Sequence, residues 1–129
     1  MCKDKKRRGT ATVELAVCLP VMVILVLGAI ECTTMIFVEQ SLHVVAYETA
    51  RSAISPNSTN GEVQTRLNEV IAERKLNGAS VEITPADIEG LDPGTHITIT
   101  VTAPTADNAV FPLQFFSGDL DAVSVMSKE

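Results

Sequence analysis

Glu14 is the residue whose chemistry most needs explaining. It stands five positions after Gly9 and directly before Leu15–Ile30, a run with no charged side chain. A carboxylate costs about 2.5–3.5 kcal/mol near the centre of a membrane helix and less near the interface, so in an apolar run it normally has a partner or a task. Either Glu14 lies close enough to a surface to reach water, or it meets a positive charge. The other reactive residue types are scattered. Cys18 and Cys32 are ~21 Å apart along a helix, too far to pair within one, and read as small packing residues; Cys2 lies among basic residues. The cysteines and the two histidines lack metal-ligand spacing, and His43 reads as a solvated residue. Glu69 and Glu73 have Arg66, Arg74 and Lys75 as neighbours, which marks a solvated helix face and not a catalytic pair. No nucleophile–base or metal constellation emerges. The chain reads as a non-enzyme with no cofactor and no small-molecule substrate.

The element that must position Glu14 is a helix. Leu15–Val38 is apolar except at Glu31 and a Thr pair, and at ~1.5 Å per residue it spans ~36 Å, enough to cross a ~30 Å hydrocarbon core with some tilt. The lipid bilayer is thus the first expected partner. Lys3, Lys5, Lys6, Arg7 and Arg8, opposed only by Asp4, precede the run, and Glu31 and Glu39 lie at its far end. That bias puts the N-terminus in the cytoplasm and everything after about residue 38 outside. A cleaved signal peptide fits less well. Leu27-Gly-Ala29 has a large residue where a small one is needed, Glu31 spoils a lipoprotein site at Cys32, and the run exceeds a ~7–15-residue signal core. Pro20 and Gly28 interrupt the run but are tolerated in membrane helices. Gly28, Ala29 and Thr33 offer a small-residue face to a neighbouring helix.

Basic leader, Gly9, four residues, Glu14 and then an apolar helix resembles the class III signal of type IV pilins and pseudopilins. More narrowly, Arg8-Gly-Thr-Ala-Thr-Val-Glu-Leu-Ala-Val-Cys-Leu-Pro20, Gly28-Ala-Ile-Glu31 and Ala50-Arg51 resemble the TadE-like proteins, minor pseudopilin-type components of the Tad/Flp tight-adherence pilus. The resemblance is strongest over about residues 8–54, and Val123–Glu129 is similar to the family's terminal strand. It implies a prepilin peptidase that cuts after Gly9 at the inner membrane of a bacterium, leaving Thr10 as the first mature residue. It implies that Glu14 meets the N-terminal amine of a neighbouring pilin or pseudopilin subunit, each charge offsetting the other's desolvation. Leu15 stands where the short major pilins carry Tyr, and the outer region is sizeable, so a minor component is implied. Thr10 is not the aromatic or Met start usual for type IV pilins.

The resemblance and the pattern together give an α+β, pilin-like fold: a basic leader (1–9), a transmembrane helix (10–38) and an extracytoplasmic domain (39–129). One long helix is expected over about 11–54, since Leu42, Val45, Ala46, Thr49, Ala50 and Ala53 share a face. Tyr47 reads as packing. A second helix is expected over 61–77, with Val63, Leu67, Val70 and Ile71 as its stripe and Asn77-Gly78 as its end. Val81–Ile83, Ile97–Val101 and Val123–Val125 alternate with period two and predict a three- to four-stranded antiparallel sheet whose apolar face packs on the long helix, with Thr98, Thr100 and Thr102 outward. Phe111, Phe115 and Phe116 crowd a stretch that Pro112 keeps from being a strand. The stretch tucks onto the sheet, lies at the membrane surface, or docks another subunit, which makes those three residues contact candidates beside Glu14. The formal net charge is −6, and residues 1–8 alone carry +4, so the remainder is strongly acidic. That excludes nucleic acid and anionic lipid as natural ligands.

Overall fold

The computed structural model describes residues 4–111 and 116–129. Helix α1 (Asp4–Ile54) runs 51 residues, passing through Pro20. It is followed by α2 (Asn60–Arg74), β1 (Ser80–Thr84), β2 (His96–Pro104), the short α3 (Thr105–Asn108) and β3 (Asp119–Ser127). The fold is α+β, as expected, and its sheet has three strands in the order β1-β2-β3, antiparallel throughout.

α1 has two surroundings. From Val13 to Ile30 its large apolar side chains point outward and no part of the chain covers them. From Glu31 onward one face is covered: Met35, Val38, Leu42, Val45, Ala46, Thr49, Ala50 and Ala53 are all buried. Their spacing of three and four is that of a single helix face, and the small residues near its end let other elements approach closely. Against this face pack Ile97, Ile99, Val101 and Ala103 of β2, Ala122 of β3 and Val63, Leu67 and Val70 of α2. Each large apolar side chain so buried contributes about 1.5–3 kcal/mol. Tyr47, expected to pack, is instead 51% exposed and lines an open groove with Arg51, Met126 and Glu129.

Two local details depart from expectation. α2 ends at Arg74, not at residue 77, because Lys75 adopts the left-handed conformation and its N–H closes the helix on the carbonyls of Ala72 and Ile71. Asn77 and Gly78 belong to the following turn. There Gly78 has φ +65°, which strains any side chain, and a Cβ would force the Asp107 carboxylate to move. At the other end Thr59 and Glu62 form a reciprocal capping box. In β3 the pairing register places Val123 opposite Thr100 and Val125 opposite Thr98. Those valines therefore share the outward face with the threonine row and are exposed, while Ala122, beside Val101, faces the core. Alternation across the pleat allows no other arrangement once Ile99 and Val101 point inward.

Lys128 closes the domain. Its ammonium donates to the carbonyls of Ala53 (3.0 Å) and Ser55 (3.0 Å) and to Oγ of Ser58 (2.7 Å), so all three donors of a buried cation are satisfied. The first two acceptors lie in the last turn of α1 and one residue beyond it, where unpaired carbonyls and the helix dipole favour a positive charge. The backbone is tied as well, through Lys128 N–H to Thr95 O and Gly94 N–H to Lys128 O, both 2.8 Å. This contact fixes the direction of β3 along α1. The strand ends beside Ala53, so its start at Asp119 lies toward the apolar half of the helix. α3, which packs on α1, lies at that lower end, as does Asn77, bonded to Asn108. Replacing Lys128 with Met strands three acceptors and is expected to destabilise the domain by about 2 kcal/mol, read as a lowered Tm and faster proteolysis in detergent. An unchanged melt would show that the ammonium contributes nothing net.

Candidate functional site: two carboxylates on one helix

Gly9, Thr10 and Glu14 all lie on α1 and are all exposed. Nothing lies within 4 Å of where a Gly9 Cβ would stand. Thr10 and Glu14 are four residues apart and so occupy one face, a turn from each other. Glu14 has no hydrogen-bond or ion-pair partner among the described residues, and the side chains that follow it, Leu15, Val17 and Leu19, are exposed and apolar. The local chemistry is a bare carboxylate on a bare apolar helix, available to an incoming cation.

A second carboxylate is placed very differently. Glu31 follows Glu14 by ~26 Å along α1. It is 1% exposed, and neither of its oxygens has a hydrogen-bond partner. It heads the same face as Met35, Val38 and Leu42, at the position where cover by the domain begins. The hydroxyls beside it are self-contained: Thr33 and Thr34 donate to the carbonyls of Ala29 (2.9 Å) and Ile30 (3.0 Å) in their own helix. In the sequence Glu31 reads as a flanking charge, as an obstacle to a lipoprotein site and as part of the family motif, not as an inward-facing residue. Its spacing of four, seven and eleven from Met35, Val38 and Leu42 was the available sign that it faces inward.

Of the aromatic candidates, Phe111 is half-buried, Phe116 is 40% exposed, and Phe115 lies outside the described residues. Val110 beside them is 55% exposed. Thr105, at the start of α3, holds the far side of this connection: its N–H and Oγ both reach Gly118 O (3.0 and 2.8 Å), and Oγ also reaches Phe116 O (3.4 Å).

Two titratable groups outside the helix span are held by their neighbours. The Arg66 guanidinium, beside Glu48 and Glu69 at 3.4 Å each, is held above its ordinary range chiefly by Glu48. An open groove of about 540 Å³ beside it holds Glu48, Arg51, Glu62 and Arg66, charges of both signs. Among the described residues no group of three or more His, Cys, Asp or Glu gathers at metal-binding distance. Asp87 is held below its ordinary 3.8, first by the Asn60 amide (2.9 Å) and then by the Glu89 N–H (3.1 Å).

Two expectations follow. Glu31→Leu removes a buried, unpartnered carboxylate and should raise domain stability by about 1–3 kcal/mol. A lower Tm for this variant would mean that Glu31 is held by a contact that stabilises it. Asp87, depressed in the folded state, adds stability above its unfolded pKa and loses it as pH falls through the folded value. Melts should therefore fall on acidification below about pH 4, and Asp87→Asn should flatten that fall.

Residues 9–51 match the family model described as TadE-like protein. The resemblance drawn from the sequence is thus shown over that segment, and it suggests a component associated with Tad pili. No curated protein and no solved structure matches the chain.

Proposed function

We propose that this chain is a membrane-anchored, pseudopilin-like structural component of Tad/Flp pilus assembly, processed after Gly9 by a prepilin peptidase. Residues 1–9 serve as the cytoplasmic leader, 10–38 cross the bacterial inner membrane once, and 39–129 form the extracytoplasmic domain. The observation that carries this reading is Glu14: an exposed, unpartnered carboxylate, fifth after Gly9, on a stretch of helix that no part of its own chain covers. Cleavage removes the basic leader and creates an ammonium at Thr10. The Thr10 ammonium of one subunit then meets Glu14 of its neighbour, and each reduces the other's desolvation cost in lipid. Phe111, Phe115 and Phe116 supply a second subunit contact once the protein enters an assembly.

A second reading keeps the chain uncleaved, as a single-pass membrane protein whose acidic domain binds an envelope partner. One observation favours it: α1 continues from Asp4 straight through Gly9, so the bond to be cut lies inside a helix and must be unwound first. The N-terminal sequence and intact mass of protein from its native membrane separate the two. A start at Thr10, abolished by Gly9→Val, is expected, with Glu14→Ala processed normally but lost from assemblies. A start at Met1 or Cys2 would leave the uncleaved reading, and a start near Ile30 would make the span a signal peptide.

A further inference from the structure

The geometry points to the lower end of the domain resting on the bilayer surface, with Val110, Phe116 and Phe37 as its lipid contacts. This extends the reading of α1 as a membrane anchor and rests on it. Ile30 is the last residue of the exposed apolar run, and Glu31, one residue or ~1.5 Å further on, is already covered by its own chain. Cover by the domain therefore begins within a single turn of the hydrocarbon.

Topology identifies what lies at that level. Lys128 pins the end of β3 at Ala53, and nine residues of strand lead ~30 Å back to Asp119. Along α1, Ile54 and Glu31 are ~35 Å apart. α3 and the start of β3 thus come down to about the level of Glu31 and Met35. Thr105 bonds hold Phe116 and Gly118 against α3, so the exposed ring of Phe116 stays at this end, with Val110 on the other side of the connection. Phe37, 53% exposed on α1, lies about ten Å above Ile30, at headgroup depth.

Lipid is the occupant because this apolar surface continues the apolar band of the helix that lipid already covers. The charges around it are mixed with an acidic excess: Arg74 and Lys75 end α2 here, against Glu39, Asp107, Asp119 and Asp121, which disfavours an anionic surface. A zwitterionic surface suits this mixture. The domain stands on the membrane until assembly, and the subunit contact proposed to include Phe116 replaces lipid there when the protein leaves it.

The chain contains no Trp, so single replacements report cleanly. Full-length Phe116→Trp and Val110→Trp, each checked by its melt, are placed in phosphatidylcholine vesicles with and without brominated acyl chains. Val23→Trp in the span and Tyr47→Trp high on α1 serve as references. Emission from both test positions should fall about twofold with brominated lipid, while Tyr47→Trp stays unchanged, as expected for aromatic residues at an interface. Quenching of Val23→Trp alone, with the test positions open to iodide, would overturn the proposal and leave the anchor intact. Shielding of the test positions that grows with protein density and ignores bromine would overturn it in favour of a second copy. Failure of every variant to float with the vesicles would overturn the anchor reading as well.

Discussion

One helix has to satisfy two solvents, and the rest of the structure depends on where the change occurs. Below Glu31 the large side chains of α1 have only the exterior to meet. Above it one face is sealed by a small sheet and a second helix. The chain makes the change within one turn, without a loop, by changing what the helix carries. Valine, leucine and isoleucine on all sides give way to a single face of Leu42, Val45, Ala46, Ala50 and Ala53, with Gln40, His43 and Arg51 turned outward. Backbone hydrogen bonds are satisfied inside the helix in either solvent, which is why a helix can bridge them.

The domain's economy follows from that demand. Three strands and fifteen residues of α2 cannot enclose a large core, and the chain has few aromatic side chains to fill one. The sheet therefore borrows α1 as half of its core. It secures the far end with a buried ammonium on the helix carbonyls. A cation in a nearly dry site is costly unless each donor is met, and Lys128 meets the condition with two carbonyls and a hydroxyl. The same contact gives the molecule its polarity, since it decides which end of the sheet approaches the membrane.

Much of this was legible in the sequence where periodicity was long. Ten or more residues of α1 repeat the three-and-four spacing, and all six face residues named from it are buried. Short signals misled. Val123-Ser-Val125 reads as an inward-facing pair, yet pairing with β2 turns it outward, and register is a property of two strands that neither displays alone. Asn77-Gly78 is a strong helix stop, but Lys75 in the left-handed region stops the helix sooner. α3 offers four residues, too few for a period. For the carboxylates, Glu14 stood out because it lies five positions after Gly9 and directly precedes an uncharged apolar run. Glu31 did not, because burial by distant segments leaves no local mark.

The unbroken course of α1 from the apolar run into the domain also has a mechanical meaning. With no flexible joint between Ile30 and Ile54, the domain cannot reorient independently of the span. A change of about ten degrees in tilt would swing the far end of the rod sideways by about 6 Å over its ~36 Å above Ile30. Bilayer thickness, which sets tilt, is thereby converted into the lateral position of the domain. Pro20, lacking the N–H that would bind the carbonyl a turn earlier, is the natural pivot, and it lies in the part of the lever that only lipid surrounds.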